Sequence, residues 1–167
     1  MEVSALALGA NLGNRRVTLH RAVAALRAEG FKVHASALYE SAPWGDPDQP
    51  DYLNAVVVVE SGTAQDWLGW ARRLEQAAGR TRDASRPNGP RTLDVDVIEV
   101  WRPDGPLRRD DPELTLPHPR AAARPFVLVP LAEVAGDREL AGQGRIRGLV
   151  RRLPRRPGDL RLVAEDW

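Results

Sequence analysis

Two aspartates interrupt an otherwise apolar run. The stretch Pro-Asn-Gly-Pro-Arg-Thr-Leu-Asp-Val-Asp-Val-Ile-Glu-Val spans residues 87–100, and its second half alternates like a β-strand. Aspartate is a poor strand residue, yet Asp94 and Asp96 stand two apart. On a strand, such a pair shares one face, with Cα atoms roughly 6.6 Å apart. Two carboxylates that close repel unless a cation or a shared proton neutralises them. Hard oxygen ligands with room left for water and phosphate suit Mg²⁺, and a pair this close is within reach of two ions about 3.5–4 Å apart. On spacing alone, a solvent-facing strand remains the leading reading. The loop just before it changes the weighting. Residues 80–91 hold Arg80, Arg82, Arg86 and Arg91. Polyphosphate needs cations from protein and metal together, and these adjoining segments supply both. The loop also fits a solvated connection, so phosphoryl-type transfer stands level with the bland reading at this point.

Tyr52 and Asn54 form a second same-face pair. With Trp44 and Phe126 they offer a flat slot and an amide able to read the edge of a heterocycle. Ordinary core packing is the competing reading for each aromatic. His118 lies between Pro117 and Pro119 in a rigid extended segment, where a phosphate contact is open to it.

The 167 residues fit one domain, residues 1–167, with an Arg-rich tail from 145 to 167. No apolar run is long enough to span a membrane, and no signal pattern opens the chain, so a cytoplasmic protein is expected. Absence of cysteine removes disulfides, thiolate metal sites and thiol nucleophiles. A net charge of +1 calls for no nucleic-acid partner. Lys32 is the only lysine, which excludes a Walker A loop. Arginines must therefore handle any phosphate, a task their planar fork suits.

The elements follow from periodicity. Residues 3–8 read as a short strand and 9–14 as a turn. Asn14 is the expected N-cap of a helix over about 15–29, with Leu19, Val23 and Leu26 buried and Gly30 ending it. Residues 31–39 alternate as one half-buried strand. A Pro- and Asp-rich loop over 41–51 leads to a strand over 52–60, with Val56–Val59 covered on both faces. Thr63 is expected to cap a helix through Ala78, with Asp66 as its capping-box partner. The aspartate strand follows the arginine loop. Residues 114–119 are extended, and 126–135 form a short apolar helix in which Pro130 must lie near the first turn or kink it. This order, βαββαβ, is that of a ferredoxin-like α+β sandwich with additional C-terminal helices and extended segments. The last 25 residues give no clear pattern.

In order and at matching spacing over about residues 3–135, the motifs resemble the 6-hydroxymethyl-7,8-dihydropterin pyrophosphokinase family of folate biosynthesis. They are Ala7-Leu-Gly-Ala-Asn-Leu12, Asp48-Gln-Pro-Asp-Tyr-Leu-Asn-Ala55, Glu75 through Arg82, Gly89-Pro-Arg-Thr-Leu-Asp-Val-Asp96, and Leu116-Pro-His118 with Arg124 and Phe126. The resemblance implies transfer of the β,γ-diphosphate of ATP to the pterin hydroxymethyl oxygen, with release of AMP. It implies two Mg²⁺ ions on Asp94 and Asp96, and Arg80 and Arg91 neutralising the transferring group. It assigns Glu75, Arg82, Thr115 and His118 to ATP alongside those arginines. Tyr52 and Phe126 would sandwich the pterin, and Asn54 would bond its amide edge. Ser41, Ala42, Trp44 and Arg124 would complete the pocket. Small-molecule substrates and a monomer are expected. Segments 11–15, 42–51 and 80–91 would close over them, excluding competing water.

Four positions depart from the family pattern. Asn88 stands where Trp is frequent, and Pro87 lengthens the arginine loop by one residue. Glu113 replaces a basic residue, and Arg72 replaces a Gln. Three rival readings compete: a ferredoxin-like RNA-binding module, another two-metal nucleotidyl or phosphoryl transferase or phosphohydrolase, and a partner-binding role for the tail. The first would need stacking aromatics on a basic sheet face. The second would share the metal pair but lack the Tyr-x-Asn slot. A charge run such as the tail is usually a solvated face.

Overall fold

The computed structural model describes residues 1–154, 156 and 158–167; Arg155 and Pro157, in the Arg-rich tail, lie outside the described residues. In chain order the elements are β1 (Glu2–Ala10), α1 (Arg15–Ala28), β2 (Lys32–Ala35), β3 (Leu38–Ser41), β4 (Tyr52–Ser61), α2 (Trp67–Ala77) and β5 (Asp94–Arg102). There follow β6 (Gly105–Pro106), β7 (Arg109–Asp110), β8 (Thr115–Leu116), a 3₁₀ turn (Ala121–Ala123), α3 (Pro125–Ala135), β9 (Glu139–Leu140), β10 (Gly144–Arg145), α4 (Ile146–Arg152) and β11 (Arg161–Ala164). The main sheet runs β11-β3-β4-β1-β5-β6, and β2 also pairs with β4. With β2 and β3 counted together, the order is the ferredoxin-like βαββαβ.

Strand parity splits the core in two. Leu6, Leu8, Leu53, Val57, Val95 and Val97 face α1 and α2, where they meet Leu19, Leu26, Trp67 and Leu74. The opposite parity, Val3, Ala5, Val56, Val58 and Ile98, lies under α3 and α4 with Leu128, Leu131 and Ile146. A fully buried Leu or Ile in either layer stabilises the fold by about 1.5–3 kcal/mol. Val56–Val59 are buried on both faces, as expected for a central strand.

Several expectations are corrected. The strand predicted over 31–39 is two strands. Its ladder breaks at Ser36-Ala37, where the Ala37 N–H donates to Glu133 Oε2 of α3 at 2.8 Å and the Val56 N–H to Ser36 Oγ at 3.0 Å. Asp66, not Thr63, caps α2, its carboxylate accepting from the Gly69 N–H at 2.9 Å. Buried Glu2 accepts from the Gln65 N–H and Trp67 Nε1, which fixes where that helix begins. Of the two placements expected for Pro130, the first turn is excluded, for it lies in the interior of α3. The C-terminal region, unreadable from periodicity, is ordered into β9–β10, α4 and β11. The Asn14 cap stands as expected, its Oδ1 accepting from the Val17 N–H at 3.2 Å.

Candidate active site

The face beneath α3 changes character along its length. Three rows of paired residues cross β4, β1 and β5. Val58 faces Ala5, which faces Glu99; Val56 faces Ala7, which faces Asp96; Asn54 faces Gly9, which faces Asp94. Moving along the strands, the face turns from apolar and covered to polar and open. The small residues of β1 keep its middle low. A Cβ at Gly9 would stand 3.4 Å from Tyr52 Cδ1 and 3.5 Å from Asn54 Oδ1, so a longer side chain there would project over the slot.

One cleft gathers Ala7, Gly9, Asp94, Asp96, Arg91 and Asn88, together with Ser41, Ala42, Trp44, Tyr52, Asn54, Arg124 and Phe126. All seven residues expected at the pterin therefore converge beside the acid pair. Trp44 is exposed and meets Phe126 edge to face at 5.4 Å between ring centroids. The Asn54 amide has a fixed sense. Its Nδ2 donates to Ser41 Oγ at 2.9 Å, to the Tyr39 carbonyl at 3.2 Å and to the Tyr52 carbonyl at 3.4 Å. Carbonyls only accept, so Oδ1 is the atom turned toward Gly9 and the cleft. Burial pushes the Tyr52 phenol up from its ordinary value, so the ring remains neutral.

The loop arginines reach the acids through specific local geometry. Gly79, at φ +72°, ends α2, and the Arg80 N–H bonds the Glu75 carbonyl at 3.1 Å. That turn aims Arg80 at Asp94 Oδ1, 2.8 Å away, and at the Glu75 carboxylate. Arg91 Nη1 lies 3.1 Å from the same Asp94 oxygen. Glu75 is buried, and both its oxygens are taken: Oε1 by Arg80 and the Val95 N–H, Oε2 by Arg82. Glu75 thus orients the arginines and β5.

Asp96 has looser company. Its Oδ2 lies 3.6 Å from Arg124 Nη1 and 3.9 Å from His118 Nε2, both beyond good hydrogen-bond range. Burial, then the charge of Asp94, push its carboxyl up to about 6. His118 Nδ1 accepts from the Arg120 N–H at 3.2 Å, which leaves the proton on Nε2, directed toward Asp96. Burial, then Arg124 and Arg120, lower its pKa to about 4, so the neutral imidazole is a donor. Arg124 stacks over Phe126 at 5.6 Å, and its buried Nε has no partner among the described residues.

Of the residues expected at ATP, Arg91 lines the pterin cleft and the other five are divided between two further concavities. Thr115 and His118 share one with Asp96 and Leu68. Glu75, Arg80 and Arg82 line another with Arg72 and Gln76. Arg72 and Glu113, two of the departing positions, form an ion pair at 3.2 Å. Among the described residues no group of three or more His, Cys, Asp or Glu gathers as a metal cage. A carboxylate pair leaves most of an octahedral shell to water and phosphate oxygens, the usual mode for Mg²⁺.

Sequence reasoning passed over two amides. Buried Asn11 donates from Nδ2 to Gln49 Oε1 and the Pro50 carbonyl, while its Oδ1 accepts the Arg91 N–H at 2.8 Å. Gln49 Nε2 donates to the Asn88 carbonyl at 2.8 Å. Both stand inside quoted motifs, and an amide amid Gly and Pro was the available signal. The Pro87 carbonyl accepts Arg91 Nη2 at 3.1 Å, and Asn88 packs on Gly45.

A ferredoxin-like sheet whose open end carries an acid pair, a ring of arginines and an aromatic slot defines a phosphoryl-transfer class of enzyme. Comparison with known proteins sharpens this. The family model of 7,8-dihydro-6-hydroxymethylpterin-pyrophosphokinase matches residues 5–136. The Mycobacterium tuberculosis (strain H37Rv) 2-amino-4-hydroxy-6-hydroxymethyldihydropteridine pyrophosphokinase is 37% identical over 155 residues, 89% of this chain and 80% of the relative. The Methylorubrum extorquens protein of that name is 41% identical over 141 residues, 83% and 85% of the two chains. The crystal structure of Plasmodium falciparum HPPK-DHPS with SDX-DHP superimposes with a TM-score of 0.62 at 13% identity, over 91% of this chain but only 43% of that one; that likeness concerns the fold. The chain belongs to the 7,8-dihydro-6-hydroxymethylpterin-pyrophosphokinase family and is a pyrophosphokinase.

Proposed function

We propose that the chain transfers the β,γ-diphosphate of ATP to the hydroxymethyl oxygen of 6-hydroxymethyl-7,8-dihydropterin, leaving AMP, with Asp94 and Asp96 holding two Mg²⁺ ions. The observation that carries this reading is the shared cleft: an aromatic slot with a fixed amide opens directly onto the acid pair. When bound, the metal neutralises triphosphate charge and acidifies the attacking hydroxyl.

The chain's own groups do the rest. Tyr52 and Phe126 flank the flat ring. Asn54 Oδ1 accepts from the donor-rich amide edge of the pterin, which orients its hydroxymethyl arm toward Asp94 and Asp96. Arg80 and Arg91, both committed to Asp94 before substrate arrives, turn their remaining N–H groups to the transferring diphosphate. His118 offers Nε2–H, and Arg82 adds charge from the exposed rim. Asn11 and Gln49 hold the three loops around the cleft, which limits water as a rival nucleophile.

The test is product identity. Purified protein is mixed with ATP, Mg²⁺ and the hydroxymethyl pterin, and nucleotides are resolved by chromatography. AMP formed only when the pterin is present is the expected result. ADP as the product, or no pterin-dependent AMP from folded protein, contradicts the proposal.

A further inference from the structure

The Arg-rich tail and the first turn of α1 have no part in the chemistry above, yet they meet at the pterin loop, residues 42–51. Arg15 is the first residue of α1. Its Nη1 donates to the Asp51 carbonyl at 2.8 Å, and its Nη2 pairs with Glu40 Oε2 at 2.8 Å. Asp51 precedes Tyr52 of the slot, and Glu40 precedes Ser41, which lines the same cleft and accepts from Asn54. One guanidinium therefore ties Asp51, the last residue of the loop, to Glu40 of β3, across the last ladder pair, Ser41 with Tyr52.

The tail completes the arrangement. β11 pairs with β3, placing Arg161 opposite Glu40, and the Arg161 guanidinium also bonds that carboxylate. Arg161 first, then Arg15, hold Glu40 below the usual carboxylate range. The following residues are tied down too. Trp167 Nε1 donates to the Ser36 carbonyl at 2.8 Å, and Arg16 Nη2 to the Asp166 carbonyl at 3.2 Å. The chain's last strand is thus fastened to the edge from which the pterin loop departs.

We infer that Arg15 is a positioning residue for the pterin loop and that the C-terminal strand, through Arg161 and Glu40, braces it. Arg15 does not line the cleft, and its guanidinium is engaged by Asp51 and Glu40. The ladder fixes the Ser41–Tyr52 pair, and Arg15 holds the loop's end at Asp51 against Glu40 beside it, which steadies the slot and the aim of Asn54. The two acceptors of Arg15 lie in different directions, a geometry that a planar fork meets and a single ammonium does not. Arg161 is largely exposed and acts only through Glu40, so its share is the smaller one.

The inference rests on the pterin reading, and direct binding separates the two. Pterin affinity is measured by calorimetry on the full chain with a non-hydrolysable ATP analogue and Mg²⁺ present, and analogue affinity is measured alone. Pterin binding by the wild type supports the functional reading; its absence overturns that reading first. Arg15→Gln is expected to weaken pterin about tenfold, the scale of losing charge-assisted hydrogen bonds, with analogue affinity unchanged. Arg15→Lys should fall between. Arg161→Gln should weaken pterin about twofold to threefold, and have no further effect when Glu40 is already Gln. Unchanged pterin affinity in Arg15→Gln, or equal weakening of both ligands, overturns the inference. Should Arg15→Gln fail to fold, Arg161→Gln decides: pterin affinity equal to wild type contradicts the brace.

Discussion

Strand β5 carries one buried acid and two half-buried ones, and they are satisfied in opposite ways. Glu99, fully buried, accepts the Val100 N–H at 3.1 Å and the Ala141 N–H at 2.8 Å. Burial raises its pKa, and those neutral backbone donors oppose the rise. It fastens β5 to the β9–β10 hairpin. Asp94 and Asp96 lie a few residues earlier on the same strand, and their carboxylates receive no backbone N–H among the described residues. Their neighbours are Arg80, Arg91, Arg124 and His118, and an open cleft lies before them. A carboxylate closed off by backbone donors holds the fold together. One met by side-chain donors across an open cleft, closely at Asp94 and loosely at Asp96, keeps lone pairs for chemistry.

The largest expected effect breaks the comparison outright. Asp96→Ala should lower kcat about 10³-fold or more, the consequence of losing several kcal/mol of charge stabilisation, while circular dichroism remains native. Glu99→Ala should do the reverse. It leaves two buried N–H groups unpaired, costing at least about 2 kcal/mol in chemical denaturation, with activity per folded molecule retained. A strong catalytic defect in folded Glu99→Ala would erase the distinction.

Next in size is Arg91→Ala. Removal of one preorganised cation from the transferring group should reduce kcat about 10²- to 10³-fold, with pterin affinity little changed. A defect confined to KM would make Arg91 a uniform binding group instead.

Proton linkage distinguishes the two acids more finely. Without metal, Asp96 has a folded-state pKa of about 6 against an ordinary 3.8. The protonated form is the one the fold favours. That stabilisation is complete below about pH 4 and disappears as pH rises through about 6. Metal-free Asp96→Asn should therefore melt higher than wild type at pH 7, with the difference closing toward pH 4. A variant that melts lower at pH 7 would show that Asp96 is held by its neighbours as a structural acid.

The smallest effect concerns the loops. Arg86 Nε donates to Asp46 Oδ2 at 2.8 Å and Nη2 to the Asp48 carbonyl at 3.0 Å, clasping the arginine loop to the pterin loop. The pair is partly exposed, so Arg86→Gln should raise the pterin KM only about twofold to threefold. No change in steady-state assays would assign the clasp to crowding of two loops without consequence.

Much of this was legible in the sequence because it depended on local period. Parity put Asp94 with Asp96 and Tyr52 with Asn54, and register across β1 then joined the pairs. The family resemblance added Ser41, Ala42 and Arg124 to the cleft and kept Trp44 and Phe126 in it. What escaped depended on distant partners. Alternation continues through Ser36 and Ala37, but Glu133, 96 residues on from Ala37, satisfies the break between β2 and β3. Thr63 and Asp66 are equally good caps, and Glu2 from the far end of β1 decides between them. Beyond α4, whose Ile146 enters the core, the tail lacks an apolar rhythm and is anchored by single long-range bonds, Arg161 to Glu40 and Trp167 to the Ser36 carbonyl. Asn11 and Gln49 stand within the motifs, yet their shared hydrogen bond spans 38 residues.

The central claim is that Asp94 and Asp96, and not Glu99, hold metal against the phosphates. Electron paramagnetic resonance of Mn²⁺ with a non-hydrolysable ATP analogue measures this directly, on wild type, Asp96→Asn and Glu99→Ala. Two protein-dependent Mn²⁺ sites in wild type and Glu99→Ala, with loss of at least one in Asp96→Asn, is the predicted result. The same Mn²⁺ stoichiometry and affinity in Asp96→Asn as in wild type would contradict it.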